Sequence, residues 1–313
     1  MKIINNNNNI AGVDEVGRGP LAGPVVASAV ILPKNHNISG LNDSKKISKK
    51  NRKILFKQIN NAALSIGLGV VSPEIIDKIN IRNATFRAMN KAVSDLNIIP
   101  KTLLIDGEEL PNCKIKNKGI IRGDTKVESI MAASIIAKVT RDRIMINYSK
   151  IFPEYKFENN MGYGTKQHME ALKIYFATPV HRRTFNPIDK YLPTISWLKK
   201  NNKIRWMAQK LVAIYLQNHG YLIKQINCEI NEDIYFDIHT ILNNVNILIH
   251  VNVQDYNVNN KNNIDNFSAI SNYFITNNNS ISNSWRLDVV NIDLHKRVNN
   301  IDHIISFRNS NES

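Results

Sequence analysis

The sequence contains little cysteine and no long apolar stretch. Cys113 and Cys228 are the two thiols in 313 residues, which are too few for a disulfide scaffold and are typical of a reducing compartment. No run approaches the roughly 18 to 20 apolar residues that cross a bilayer, and the start, MKIINNNNNIAGVDEVGRG, has no apolar signal-peptide core. These absences predict a soluble, cytoplasmic protein.

Acidic residues are few relative to basic residues in the first part of the chain. Residues 1–200 carry 32 Lys and Arg against 16 Asp and Glu, whereas residues 201–313 carry 9 against 10. Because neutralising phosphates releases counterions, this excess favours a nucleic-acid partner, with a solvated lysine-rich surface as the alternative. The shift in charge, together with a length of roughly 150 residues per domain, predicts two domains, residues 1–200 and 201–313.

Apolar runs of strand length alternate with segments of helical spacing, and this order predicts an α/β layer architecture. The helical segment at residues 127–148 carries small residues, including Ala133 and Ser134, that permit close packing on a sheet. Asn243 and Asn244 predict a turn between two later strands. We expect strands at residues 10–16, 25–32, 64–71, 102–105, 234–241, 247–253 and 286–294, and helices at 73–96, 127–148 and 204–217.

Carboxylates occur where apolar strand residues are expected. Asp14 and Glu15 interrupt a glycine-rich strand in GVDEVGRG, and Asp106 closes the strand LLID. Burying carboxylates is costly unless a cation or hydrogen bonds compensate. Carboxylates without His or Cys at ligand spacing indicate Mg²⁺ or Mn²⁺ rather than zinc. Two points stay open. Asp106, at a strand end, has the alternative of a turn former or N-cap. Asp14 and Glu15 are successive strand residues that face opposite sides, so both serve one site only if the strand twists or ends there, or if one acts through its backbone.

A fourth acid is expected in the segment IRGDTKVESI, which contains Asp124 and Glu128. Thr125 and Glu128 have the T-x-x-E spacing of a capping box at the start of the long helix, which would give Glu128 a structural task. Asp124 is therefore the preferred ligand, and Glu128 is the alternative.

Several motifs follow one another in the first part: AGVDEVGRGPLAGPVVASAVIL, LNDSKKIS, LLIDG, IRGDTKVESIMAASIIAKVTRDR and GYGTKQHMEAL. Over residues 8–196 the chain thereby resembles bacterial ribonuclease HII. The resemblance implies an α/β, ribonuclease H-like fold with a mixed five-stranded sheet and flanking helices. It also implies an endoribonuclease that cleaves the RNA strand of RNA–DNA hybrids and nicks 5′ of single ribonucleotides embedded in duplex DNA, leaving a 3′-hydroxyl and a 5′-phosphate.

The resemblance assigns catalysis and metal binding to four acids, with Mn²⁺ or Mg²⁺ as the cofactor. In a two-metal site, one ion lowers the pKa of a water molecule, while the other, roughly 3.5 to 4 Å away, stabilises the leaving oxygen. Carboxylates suit such a site because they offset the charge of the ions and leave positions for water and phosphate. The ligands implied are Asp14, Glu15, Asp106 and Asp124.

Substrate choice depends on the 2′-hydroxyl, the group that distinguishes a ribonucleotide from its deoxy neighbour apart from the thymine methyl. Gly17, Arg18 and Gly19 directly follow the acids, and glycines let the backbone approach a sugar closely. An ordinary glycine-rich turn is the alternative. By resemblance, these residues sense the 2′-hydroxyl together with Tyr163 of the GYGT motif.

Other residues are expected to contact backbone phosphates. Ser44 and Lys45 lie in NDSKKIS, and Lys138 and Arg141 are spaced i, i+3 on one helix face. The alternative is solvated loop and helix surface.

Residues 204–313 contain a helical segment followed by GYLIKQIN, a strand with Asp237, the strand ILIHVNVQ, and finally RLDVVNIDL and IDHIISF. In this order they resemble the small bacterial YraN family, which has a restriction-endonuclease-like α/β fold. Members of that family carry an acidic residue on one strand and a Glu-x-Lys pair on the next. Asp237 matches the acid, but Asn252 and Gln254 replace the pair and cannot supply a carboxylate and an ammonium group. We therefore expect a smaller, degenerate nuclease-like domain without metal-dependent cleavage.

Two classes of function remain after this reasoning. The enzyme hypothesis predicts metal-dependent nicking of a duplex that contains a ribonucleotide. A catalytically silent nucleic-acid-binding protein would bind the same duplex, with strong salt dependence and no product. The intact acids favour the enzyme.

Overall fold

The computed structural model describes residues 9–44, 46–231, 234–254, 285–295 and 300–309. These residues form two compact units, one within Met1–Ile146 and Phe157–Leu192, the other within Asn147–Lys156 and Pro193–Ser313. Each unit is built on its own five-stranded sheet. No helix in the described ranges is long and apolar enough to cross a lipid bilayer.

The sheet of the first unit is mixed, as predicted. Its strands are β1 (Ile10–Val16), β2 (Val25–Ile31), β3 (Ser65–Val71), β4 (Thr102–Asp106) and β5 (Lys116–Ile120). The spatial order is β3-β2-β1-β4-β5. β1 pairs antiparallel with β2, and β2 with β3, whereas β1 pairs parallel with β4, and β4 with β5.

Helices cover both faces of this sheet. They are α1 (Lys49–Ala62), α2 (Pro73–Ser94), α3 (Glu128–Ile151), α4 (Phe157–Asn160) and α5 (Lys166–Tyr175). One face packs against α2, where Ala88 and Ala92 join Val13 and Ile105 in a buried core. The other face packs against α1 and α3. The expected architecture of flanking helices on a mixed sheet is thus confirmed.

Gly12 lets α3 lie directly on β1. A Cβ atom at Gly12 would lie 2.1 Å from the backbone carbon of Ser129, so any other residue would push the helix away. Because side chains alternate along a strand, Asp14 shares the α3 face with Gly12, while Val13 points towards α2. This packing brings the long helix against the acidic end of β1.

The predicted capping box at the start of α3 is wrong. Thr125 lies in a 3₁₀ turn, Gly123–Thr125, and its hydroxyl donates to the carbonyl of Arg122 at 2.9 Å. The carboxylate of Glu128 instead lies 3.2 Å from Nε2 of His36. The turn before the helix engages the Thr125 hydroxyl, so it does not cap the helix.

The second unit contains the other sheet, with α6 (Ile195–Lys200) and α7 (Ile204–Asn218). Its strands are β6 (Leu222–Asn231), β7 (Ile234–Leu242), β8 (Val245–Val253), β9 (Trp285–Asp293) and β10 (Asn300–Asn309). Their spatial order is β10-β9-β8-β7-β6. β8 pairs parallel with β9, and the remaining pairs are antiparallel. Asn243 and Asn244, with φ of 50° and 64°, form the expected turn between β7 and β8. The restriction-endonuclease-like assignment stays a prediction.

Candidate active site

The ends of two parallel strands bring three of the predicted acids together. Val13 of β1 is in register with Ile105 of β4, so Asp14 and Asp106 follow at the same level on neighbouring strands. Asp14 and Glu15 both experience the negative charge of Asp106. The backbone N–H of Asp124 donates to Oδ1 of Asp106 at 3.3 Å, so the fourth predicted acid begins beside the third.

Asp14 is the most deeply buried of these acids. Its side chain is 4% exposed, and Oδ1 accepts the backbone N–H of Glu15 at 2.7 Å. Burial raises the pKa of Asp14 well above its ordinary value, and repulsion from Glu15 and Asp106 adds to this rise. A hydrogen bond from Ser134 of α3 acts in the opposite direction. The carboxyl group is therefore costly to ionise until positive charge arrives.

Glu15 lies beside a cation, the guanidinium of Arg18. Burial raises the pKa of Glu15, the nearby positive charge of Arg18 lowers it, and repulsion from Asp106 raises it further. Arg18 Nη1 lies 3.6 Å from Glu15 Oε1, and half of the Arg18 side chain is exposed to solvent. The pair offsets part of the negative charge at the strand end.

The acids converge on one end of the sheet without forming a closed ligand set. Among the described residues, no group of three His, Cys, Asp or Glu side chains is arranged to hold a metal ion. Asp14 lies on the face of β1 that packs on α3, and Glu15, as the next strand residue, follows the opposite face. Ser28, directly opposite Asp14 on β2, has a buried hydroxyl that makes no hydrogen bond within the described part of the chain.

The glycine-rich turn and Tyr163 lie next to each other. A Cβ atom at Gly19 would lie 3.7 Å from Cε1 of Tyr163, whose side chain is 45% exposed. Gly17 has φ of +97°, and a Cβ there would lie 2.3 Å from Nε of Arg141, so no larger residue fits. The structure therefore brings Gly17, Arg18, Gly19 and Tyr163 together beside the acids.

The predicted phosphate contacts are largely engaged inside the protein. Arg141 is fully buried and donates to three backbone carbonyls, so the expectation that it meets a phosphate is wrong. Lys138 Nζ lies 2.7 Å from Oδ1 of Asp142, which neutralises it locally. Ser44 is 3% exposed and its hydroxyl is 2.9 Å from that of Ser134. The prediction for Lys45 lies outside the described residues.

Two functional neighbours were not recognised from the sequence. In the sequence, Ser134 is one of several small packing residues on α3, yet its hydroxyl forms hydrogen bonds with Asp14 and with Ser44. Arg182 reads as surface charge near the end of the first part, yet it is fully buried behind the glycine-rich turn. Neither position carries a sequence signal beyond its residue type.

The acid of the second unit has a different environment. Asp237 is fully buried, and its carboxylate accepts hydrogen bonds from Nε and Nη2 of Arg205 at 3.0 and 2.9 Å. It also accepts the side-chain amide of Gln209 at 2.7 Å and the backbone N–H of Val251 at 2.8 Å. These donors satisfy the charge that a metal ion would otherwise neutralise.

Comparisons with known proteins agree on the first part of the chain. A profile of the family described as Ribonuclease HII matches residues 11–188. A ribonuclease HII of Bacillus cytotoxicus is 56% identical over 179 residues, covering 57% of this chain and 69% of that enzyme. A ribonuclease HII of Enterococcus faecalis is 55% identical over 179 residues, covering 57% of this chain and 70% of that enzyme.

A solved structure agrees with the fold. The crystal structure of ribonuclease H2 from Pyrococcus horikoshii OT3 superposes with a TM-score of 0.50 at 26% sequence identity, covering 58% of this chain and 96% of that one. The mixed five-stranded sheet with flanking helices is therefore ribonuclease H-like.

Proposed function

Because the chain belongs to the ribonuclease HII family and is an endoribonuclease that acts on RNA–DNA hybrids, we propose that it also nicks 5′ of single ribonucleotides in duplex DNA. The products are a 3′-hydroxyl and a 5′-phosphate. The observation that carries this proposal is that Asp14 and Asp106 lie level on neighbouring parallel strands beside Glu15, where burial raises the pKa of Asp14 and of Glu15 and repulsion from Asp106 adds to both rises.

Enzymes of this family depend on a divalent metal ion, and the donor set here suits Mg²⁺ or Mn²⁺. Asp14, Glu15, Asp106 and Asp124 offer hard oxygen ligands, which these ions prefer. Asp14 is buried and is repelled by Glu15 and Asp106, so a bound cation would relieve both the desolvation and the repulsion. The Ser28 hydroxyl, which has no hydrogen-bond partner among the described residues, leaves a further oxygen beside Asp14.

When bound, the metal supplies an activated water molecule and offsets charge on the leaving oxygen. The protein's own residues prepare the site for it. Ser134 and the N–H of Glu15 fix the orientation of the Asp14 carboxylate. Arg18 lies beside Glu15 and is exposed, so its guanidinium is available to a phosphate oxygen of the bound strand.

Selectivity for a ribonucleotide is assigned to the turn Gly17, Arg18 and Gly19 together with Tyr163. The absence of side chains at the glycines lets a sugar approach the backbone. The half-exposed ring of Tyr163 beside Gly19 can stack on the neighbouring sugar while its hydroxyl donates a hydrogen bond. Replacement of Tyr163 by Phe or Ala should lower the preference for a single embedded ribonucleotide.

The test uses the full chain and an end-labelled duplex with one internal ribonucleotide, with an all-DNA duplex as control. We expect cleavage with Mg²⁺ or Mn²⁺, none with EDTA, and a product that a ligase or polymerase can use because it carries a 3′-hydroxyl. Binding without any product would instead identify a catalytically silent nucleic-acid-binding protein.

The choice between Asp124 and Glu128 can be tested with the same substrate. Asp124 starts beside Asp106, whereas the exposed carboxylate of Glu128 is 3.2 Å from His36. We expect Asp124→Asn to lower the metal-dependent rate by at least about 100-fold and Glu128→Gln to change it by less than about threefold. The reverse order would make Glu128 the fourth ligand.

We assign the activity to residues 1–200 and none to residues 201–313. Asp237 is already neutralised by Arg205, and Asn252 and Gln254 replace the pair that cleavage would need. Asp237→Asn in the full chain should therefore leave the nicking rate at saturating metal unchanged. A loss that matches the loss in Asp106→Asn would overturn this assignment.

A further inference from the structure

Two fully buried arginines lie behind the glycine-rich turn. Arg182 donates from Nε to the carbonyl of Gly23 at 3.0 Å, from Nη1 to that of Arg18 at 2.8 Å, and from Nη2 to that of Gly17. Arg141 makes an equivalent set of bonds from α3. Its acceptors are the carbonyls of Pro24, Met161 and Ala22, at 2.9, 2.9 and 3.1 Å.

This arrangement is unusual because the charges are satisfied by carbonyl dipoles. Burial, together with repulsion from Arg141, lowers the pKa of Arg182 to about 9. Burying a guanidinium is costly unless its donors are satisfied. Because the guanidinium is planar and its donors form a rigid fork, each acceptor carbonyl is held in direction as well as distance.

The direction of a carbonyl fixes the direction of the amide in the same peptide group. In a planar trans peptide, the C=O and the following N–H point to opposite sides. The carbonyls of Gly17 and Arg18 both point at Arg182, so the N–H groups of Arg18 and Gly19 point away from it. Arg182 therefore turns two amide donors of the glycine-rich turn outward.

We propose that Arg182, supported by Arg141, is a positioning residue for ribonucleotide selectivity. This inference rests on the proposed function, in which the turn senses the 2′-hydroxyl. Arg182 does not touch the substrate. It acts by presenting the amides of Arg18 and Gly19 in one fixed orientation. Lysine at this position keeps the charge but loses the planar fork, so the turn should lose its orientation while the fold keeps its buried cation.

The test compares Arg182→Lys with Arg183→Lys, a control at the neighbouring position, whose side chain is exposed. The dissociation constants for a single-ribonucleotide duplex and for the same all-DNA duplex are measured with EDTA present, so that no cleavage occurs. Selectivity is the dissociation constant for the all-DNA duplex divided by that for the single-ribonucleotide duplex. We expect Arg182→Lys to lower this ratio at least about tenfold with little change in affinity for DNA, and Arg183→Lys to leave it unchanged.

The outcomes distinguish a failure of the proposed 2′-hydroxyl recognition by the turn from a failure of the positioning role of Arg182. If the wild-type protein binds both duplexes equally, the assignment of the turn to 2′-hydroxyl recognition fails. If the wild-type protein discriminates and Arg182→Lys discriminates equally well, the positioning role is overturned. A parallel loss of affinity for both duplexes, with the ratio unchanged, would also overturn it, because that result indicates a purely structural residue.

A second variant removes the side chain and restores the guanidinium from solution. Arg182→Ala should show a low nicking rate on the ribonucleotide duplex, and methylguanidinium at millimolar concentration should raise the rate severalfold. Methylammonium at the same concentration has the charge without the fork and should not. Equal rescue by both cations would contradict the role of the planar donors. If Arg182→Ala unfolds, which circular dichroism detects, the Arg182→Lys binding ratio decides alone.

Discussion

Replacing Asp14 with asparagine should remove activity and yet stabilise the metal-free protein. The buried carboxylate is opposed by desolvation and by the charges of Glu15 and Asp106, all of which raise its pKa. Asparagine has nearly the same shape and can still accept the N–H of Glu15. The substitution therefore removes an unfavourable charge without opening a cavity.

Repulsion from Asp106, which adds to the larger effects of burial and of repulsion from Glu15, can be sized from the strand spacing. Asp14 and Asp106 are level on neighbouring strands, which lie about 4.8 Å apart. Two unit charges about 5 Å apart repel by about 3 kcal/mol at an effective dielectric constant of about 20. Weaker hydrogen bonds from the Glu15 N–H and Ser134 return about 1 kcal/mol. A net increase of about 1 to 2 kcal/mol in the free energy of unfolding is expected.

Urea denaturation at pH 7.5 measures this difference, first with EDTA and then with Mg²⁺. In EDTA, Asp14→Asn should be more stable than the wild type. In Mg²⁺ at about 100 times its dissociation constant, the wild type should gain about 2.7 kcal/mol and overtake the variant. Asp77→Asn is the matched control. The Asp77 carboxylate accepts hydrogen bonds from the N–H groups of Arg183 and Thr184, so neutralising it should lower the free energy of unfolding. Destabilisation of Asp14→Asn in EDTA would refute the reasoning.

Two further predictions concern groups away from the acids. Burial lowers the pKa of His168 and, more strongly, of His181, whose Nε2 atoms are 3.0 Å apart. The unfolded chain therefore binds more protons than the folded chain below about pH 6.5. The stability that the two neutral histidines contribute is fully present above that pH, and the free energy of unfolding should fall by up to about 1.4 kcal/mol per histidine per pH unit as the pH drops from 6.5 towards the folded pKa values. A pH-independent stability between pH 5.5 and 7.5 in urea titrations would contradict this. Burial raises the pKa of the Cys228 thiol to about 12, so a thiol reagent at pH 8 should modify the half-buried Cys113 in the native protein and Cys228 only after denaturation; rapid modification of both would show that the second unit opens.

Much of the fold could be predicted because hydrophobic patterning carries it. The strands of the first sheet that are buried on both faces, such as Val25–Ile31, read as continuous apolar runs. The helix α1 was not predicted, since Leu55 and Ile59 are its only buried residues and the rest reads as polar loop. The edge strand β5, sequence KNKGI, has no apolar alternation either. Both elements owe their conformation to neighbours that local patterns do not reveal.

Site residues could be predicted where a charged residue interrupts an apolar strand pattern, and they could not be predicted where the charged residue looks like an ordinary surface residue. Asp14 and Glu15 stand out because carboxylates in an apolar strand need a reason. Arg141 and Arg182 look like any surface cation in the sequence. Their burial depends on backbone carbonyl groups, which every residue type carries and which the sequence therefore does not reveal. Spacing predicted an exposed helix face for Arg141 because it ignores which face the turn covers.

The central claim is that separate stretches of the chain supply oxygen ligands for divalent ions, and direct measurement of Mn²⁺ binding tests it most simply. The free ion is counted by electron paramagnetic resonance while Mn²⁺ is titrated into the wild type, Asp14→Asn, Asp106→Asn and the control Asp77→Asn. The account predicts saturable binding in the wild type and the control, and at least about tenfold weaker binding in the other two. Wild-type affinity in Asp106→Asn would contradict it.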